Sequence, residues 1–347
     1  MTHLNCKIFL LYALFVGGCQ MDNTDNRLIV RKEKTAVRQS PDEKSEVLCA
    51  LEKGDQLEDL DETGKVESVF KIGNDIFQSP WVKVKSSSDI TGWVLAWALK
   101  PSQNDDEWLL RKRMDTYWGK TLRAERDSWK KRFLSINSQE DWFQVWREGV
   151  HLRDTLFHIL HKRPEISGAL HYQWISEVLP GFVYQETVLP GRPSLFADFR
   201  IWHQKALSTE GQQDNALAGL FLSLFPLDSI ESNFPCWVFQ LDDQHCASQL
   251  GLGRHSTILK MLDSLSLSAP MAGNEYKAIK MQLFEDIMDP KSQYWQPAGK
   301  IREELANLLA NPPACLTRED IDALNIRLRM FDNPAKHGIR VNLRSGL

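Results

Sequence analysis

Trp81-Val82-Lys83-Val84 and Thr91-Gly92-Trp93-Val94-Leu95 are two short runs in which apolar residues alternate with others. They are joined by the polar stretch Lys85-Ser86-Ser87-Ser88-Asp89-Ile90. Alternation with a period of two marks strands that bury one face. Working outward, Leu28-Ile29-Val30, Val47-Leu48-Cys49-Ala50-Leu51 and Val69-Phe70-Lys71-Ile72 read the same way. Turns are expected at Ser40-Pro41, Lys53-Gly54-Asp55, Glu62-Thr63-Gly64 and Gly73-Asn74-Asp75, where glycine, proline and asparagine supply turn geometry. Many short strands with regular turn signals predict a small all-β barrel, closed or nearly closed, over 28–101.

Four motifs in this stretch resemble the bacterial SH3 family. Thr35-Ala36-Val37-Arg38-Gln39-Ser40-Pro41 is similar to its opening motif, with Ala36 where asparagine is usual. Leu51-Glu52-Lys53-Gly54-Asp55 resembles its next strand and glycine turn, and Trp81–Val84 and Thr91–Val94 resemble its last two strands. The Glu58–Pro80 connection is longer than in the family and adds a hairpin. The resemblance implies a non-catalytic module that binds cell-wall peptides or glycans, or another protein. Trp81, Trp93 and Trp97 would then be candidates for an aromatic binding surface. Trp81 and Trp93 also suit the barrel core, whereas Trp97, after the last strand, is expected to be exposed or at a contact.

Upstream, Lys7 precedes an apolar run from Ile8 to Val16, and Val16-Gly17-Gly18-Cys19 follows. A basic start, a short greasy core and small residues at a cut site are the parts of a secretory signal. The run is about half of the ~20 residues that span a bilayer. Its end resembles a bacterial lipobox. That resemblance implies cleavage of 1–18, lipid attached to Cys19, and a lipid-anchored protein of the cell envelope. Residues 19–27 read as a polar tether. Gln20 after the cysteine points to the outer membrane where the envelope has two. Each buried methylene contributes about 0.8 kcal/mol, so several acyl chains anchor durably.

The 347 residues suit about two domains. A net charge of −4 gives no general pull toward nucleic acid. Beyond Cys6 and Cys19, the four scattered cysteines Cys49, Cys236, Cys246 and Cys315 are too few for a disulfide scaffold, although Cys236 and Cys246 are close enough in sequence to bridge. After the polar linker 102–107, helical periodicity takes over and predicts an all-α domain over 108–340, followed by a tail at 341–347. The pattern is clearest in Gln139–His161, Ser194–Leu207, Asn215–Phe225, Ser256–Leu267, Glu275–Met288, Lys300–Leu309 and Arg318–Phe331. Ser138-x-x-Asp141 and Thr317-x-x-Asp320 read as helix-start capping pairs, and Pro164-Glu165, Leu189-Pro190-Gly191 and Asn311-Pro312-Pro313 as breaks. The chain has no repeat of known solenoid period.

Chemistry-bearing residues are sparse in this half. His151, Asp154, His158 and His161 share one face of a helix and are metal-ligand types, but they also describe a solvated stripe. Glu231-Ser232-Asn233-Phe234 is similar to the Glu-Ser-x-Phe stretch of lytic transglycosylases. That similarity implies Glu231 as general acid in an alternative, peptidoglycan-cleaving reading. The family's Gly-Leu-Met-Gln stretch is absent. Cys236 and Cys246 near His245 raise a thiol nucleophile, without the Asp-Cys-Ser context of cysteine peptidases fused to bacterial SH3 domains. Trp118-Gly119-Lys120-Thr121 lacks the upstream glycine of a phosphate loop, and Ser128-x-x-Lys131 lacks the companion elements of penicillin-binding enzymes. No catalytic motif is complete and no cofactor is expected. From Trp108 to Arg132, tryptophans interleave with lysine and arginine, which suits either an anionic surface or a helix packed through its aromatic face.

Overall fold

The computed structural model describes residues 26–72, 75–162, 172, 174–186, 193–242 and 245–343. The signal segment, Cys19 and most of the tether lie outside the described residues. So do Gly73-Asn74 and the Pro164-Glu165 and Leu189-Pro190-Gly191 breaks. The described residues form two compact units, the first from those up to 68 with 79–112, the second from those in 69–78 with those from 113 onward.

The first unit is a curled antiparallel sheet. Its strands are β1 (Arg27–Val30), β2 (Thr35–Arg38), β3 (Val47–Leu51), β4 (Gln56–Ile72), β5 (Asp75–Ser86), β6 (Thr91–Leu95) and β7 (Leu99–Pro101), in the order β3-β2-β6-β5-β4-β1-β7. Alternation puts Val37, Val82, Val84 and Val94 in the core, completely buried. β6 pairs with β5 in register, Val82 opposite Val94 and Val84 opposite Gly92. Gly92 sits where β6 comes closest to β2. A Cβ there would stand 2.5 Å from Val37 Cγ1 and 2.7 Å from the Arg38 carbonyl oxygen, so the glycine of the Gly-Trp-Val motif is a packing requirement. The turn expected at Glu62-Thr63-Gly64 does not form, because β4 runs unbroken through it. The irregularity falls instead on Asp61, at φ 55°, whose N–H donates to Asp59 Oδ1 at 2.8 Å. The described residues of the long Glu58–Pro80 connection thus belong to the paired strands β4 and β5.

Helix α1 (Trp108–Leu134) begins inside this first unit. Trp108 joins the barrel core, and its indole N–H donates to Asp59 Oδ2 at 3.1 Å. One turn later Lys112 places its ammonium 2.9 Å from Asp59 Oδ2 and 2.9 Å from Asp61 Oδ1, with Lys112 and Asp59 both buried. A fragment ending at Ser102, expected from the sequence pattern to carry the whole barrel core, therefore omits a core tryptophan and a buried cation.

The second unit is helical. It holds the rest of α1, then α2 (Gln139–His161), α3 (Trp174–Val178), α4 (Phe199–Leu207), α5 (Gln213–Leu224), α6 (Arg254–Ser268), α7 (Gly273–Met288), α8 (Ala298–Ala310) and α9 (Arg318–Met330). Two short antiparallel pairs accompany them, β8 (Phe182–Glu186) with β9 (Pro193–Ala197), and β10 (Val238–Gln240) with β11 (Cys246–Ser248). The helix expected from Ser194 starts at Phe199. Ser194–Ala197 pairs with β8, and Asp198 caps α4 by accepting the Arg200 N–H. The Ser138 cap and the Thr317/Asp320 capping box both form. α1 changes direction at Gly119, whose φ is 74°. The core around α2 and α4 is aromatic: Trp146 and Trp202 meet edge to face at 4.9 Å between centroids, and Trp142 lies 5.7 Å from Trp202. Three of its buried indoles donate to backbone carbonyls: Trp129 to Val145, Trp142 to Trp202 and Trp202 to Gly181.

Candidate functional site

The three barrel tryptophans take different roles. Trp81 is buried, with its indole N–H donating to Ser68 Oγ at 2.9 Å. It fills the core and offers no binding face. Trp93 is half-buried on the outer side of β6, because its neighbours Gly92 and Val94 occupy the inner side. The Lys83 ammonium lies 5.8 Å from its ring centroid and pairs with Glu62. Trp97 sits in a short 3-10 turn, Ala96–Ala98, whose two alanines point into the core. Its ring is half-buried against that core, and the Lys32 ammonium lies 5.3 Å from the ring centroid.

Trp97 lines a groove of about 580 Å³ together with Arg31, Lys100, Asn104, Asp105 and Asp106. The hydrogen-bonded Arg111 guanidinium holds the Asp105 carboxyl below the usual carboxylate range, against the smaller opposing effect of burial. The groove therefore offers an aromatic face, cations and anions within one concave surface. Lys32, Arg31 and Asp105 belong to no motif, and only the fold brings them to Trp97. The sequence signal that could have pointed to them is their position just outside β1 and β7.

The candidates in the helical unit are dispersed. His151, Asp154, His158 and His161 are all exposed on α2. Asp154 pairs with Arg153, and the His161 ring packs on Phe157 at 3.9 Å. Among the described residues no group of three or more His, Cys, Asp or Glu is placed to hold a metal ion. Glu231 is half-buried, and its Oε2 accepts from Arg153 Nη1 and, at 3.0 Å, from the Ala197 N–H. The Glu231 N–H in turn donates to the Ala197 carbonyl. The carboxylate thus ties the chain after α5 to β9 and α2.

Cys236 and Cys246 are both free thiols. The β10–β11 register sets Cys246 opposite Gln240, four residues beyond Cys236, so they lie at opposite ends of the ladder and do not bridge. Burial pushes the Cys236 thiol up in spite of Arg254 beside it. Burial, then Asp286 and Asp289, does the same for Cys246. Neither thiol has the lowered pKa of an activated nucleophile.

The basic, tryptophan-rich stretch is absorbed into the fold. Trp108, Trp118 and Trp129 are buried, and Arg111, Lys112, Arg123, Arg126 and Arg132 pair with Asp105, Asp59, Asp115, Asp127 and Glu148 respectively. It reads as a helix packed through its aromatic side, with most of its charge neutralised. Among the described residues no helix is long and apolar enough to cross a membrane.

Comparison with known proteins agrees with the geometry of the first unit. The family model for the bacterial SH3 domain matches residues 33–100, and no family model matches the helical region. No curated protein and no solved structure matches the chain. Bacterial SH3 domains commonly bind peptidoglycan or proteins, and the match suggests a module of that kind. The matched segment runs from the residues before β2 through β6 and the Trp97 turn into β7, and carries the Gly92 packing described above: residues 33–100 are a bacterial SH3 domain.

Proposed function

We propose that this chain is a lipid-anchored envelope protein in which the SH3 domain binds a cell-wall or protein partner and the helical unit serves as an interaction scaffold. The observation that carries the binding role is Trp97, held by the barrel core at its inner edge and set in a groove with both cations and anions. Aromatic residues in such partly desolvated settings dominate interface energetics. Peptidoglycan should pull down the full chain, and Trp97→Ala should weaken that binding about tenfold in a protein that still unfolds cooperatively. Retained binding in Trp97→Ala would remove the groove from consideration.

The anchor rests on the sequence around Cys19. Cys19→Ala should abolish labelling by a fatty-acid analogue and release the protein from membranes. Continued labelling of that variant would end the lipoprotein reading.

We propose no catalysis. The alternative, glycan cleavage with Glu231 as general acid, needs a carboxyl aimed at a scissile bond. Glu231 Oε2 is instead shared by Arg153 and the Ala197 amide, as expected of a structural brace. Purified protein should release no muropeptides from peptidoglycan. Release that disappears with Glu231→Gln would favour the enzyme.

A further inference from the structure

The helical unit contains a cavity of about 330 Å³ that has no part in the SH3 groove. Its size falls in the range of about 300–1,000 Å³ typical of small-molecule sites. Trp146, Phe199, Phe221 and Trp237 form its floor, each buried. Trp146 and Phe221 lie 5.1 Å apart between centroids, and Phe199 and Phe221 stack at 4.7 Å, so the floor is a continuous aromatic surface. The rim carries two ion pairs, Arg147 with Glu275 and Arg153 with Glu231.

These pairs leave hydrogen-bonding capacity of both signs at the mouth. Arg147 uses Nε and Nη2 on Glu275 and the Met271 carbonyl, and Arg153 uses Nε and Nη1 on Asp154 and Glu231. Arg147 Nη1 and Arg153 Nη2 make no hydrogen bond among the described residues. On Glu231, both bonds fall on Oε2 and none on Oε1. An apolar floor would take a ring or a large aliphatic group. A simple carboxylate would meet the arginines but also two glutamates, and a simple amine the reverse. A group bearing both charges satisfies the rim without a like-charge contact.

We infer that this cavity binds a free α-amino acid with an aromatic or large apolar side chain. Its side chain lies on the Trp146 and Phe221 floor, its carboxylate meets Arg147 and Arg153, and its ammonium meets Glu231 Oε1. This is independent of the SH3 domain's role as a binding module.

Calorimetric titration of the full chain with L-phenylalanine tests it. Saturable binding is expected. N-acetyl-L-phenylalanine, without the ammonium, and L-phenylalaninamide, without the carboxylate, should each bind about tenfold more weakly, the worth of one charge-assisted hydrogen bond. Glu231→Gln should narrow the gap between phenylalanine and its N-acetyl form, because the variant removes the negative charge that the ammonium pairs with. Ala278→Trp, at an exposed position on the cavity wall, should abolish binding while leaving the unfolding midpoint in place. Absence of saturation at millimolar phenylalanine would overturn the proposal. Equal affinity for all three compounds in the unmodified chain, or unchanged binding in a folded Ala278→Trp, would overturn it as well.

Discussion

Lys112→Met should destabilise the barrel unit by about 3–5 kcal/mol, the cost of leaving one member of a buried ion pair without its partner. Lys112 is buried with its ammonium 2.9 Å from Asp59 and 2.9 Å from Asp61. Asp61 is more than half exposed and can turn to water, but Asp59 is buried and cannot. In the variant Asp59 keeps the Trp108 indole as a neutral donor and loses its cation. A double variant, Lys112→Met with Asp59→Leu, removes both charges and should recover most of the loss, because a buried pair replaced as a whole by apolar residues is close to neutral. Denaturant unfolding followed through barrel fluorescence measures both. If the single variant is as stable as the parent, the pair adds nothing and the barrel core ends at β7. The same physics governs a fragment of residues 26–102. It should be largely unfolded, whereas residues 26–115, with Trp108 and Lys112 included, should unfold cooperatively.

That boundary shows where reading the sequence stops. Alternation in Trp81–Val84 and Gly92–Leu95 was legible because a strand shows its two faces within a few residues. The order of four motifs then supplied the rest of the barrel, Trp81's core position among the readings left open. The caps at Ser138 and Thr317 were legible for the same reason, since donor and acceptor lie three residues apart. Trp108 looked like the first residue of a helical domain because the helix pattern begins there, and periodicity carries no information about which core a side chain enters. The Glu62-Thr63-Gly64 turn misread a glycine that β4 tolerates, with Asp61 taking the positive φ one residue before that stretch. The strand β9 was hidden inside an apparent helix because Ser194–Ala197 is too short for its period to be read apart from α4. The site residues follow the same rule. Trp97 could be picked out from its place just after the last strand. Arg31 at its groove, and Glu275 and Glu231 beside Arg147 and Arg153 at the helical cavity, come together only through contacts between segments far apart in the chain.

Glu304 is the extreme case of such a contact and carries the second large effect. Helix α6 starts at Arg254 after Gly253, which adopts φ 77° and has no side chain to cap the helix. The leading amides of a helix need acceptors. Here the acceptor comes from α8, where buried Glu304 takes the N–H of Gly253 at 2.9 Å and that of Ser256 at 3.1 Å, together with the N–H of Gly251. One carboxylate thus replaces the local Ser, Thr, Asp or Asn cap, and its negative charge stands at the positive end of the α6 dipole. Glu304→Ala would leave three part-buried amides beside a cavity, and should cost about 3–5 kcal/mol, since hydrogen bonds to a charged group are worth about 1.5–3 kcal/mol each and are not additive. Glu304→Gln keeps one carbonyl oxygen but turns an N–H₂ group toward amide donors, so its loss should fall between the parent and alanine. Amide exchange locates the effect: protection at Gly251, Gly253 and Ser256 should drop in both variants while the β5–β6 amides of the SH3 domain stay protected. Unchanged exchange at those three amides in Glu304→Ala would mean that water caps α6 as well as the carboxylate does, and that the glutamate is held there for another reason.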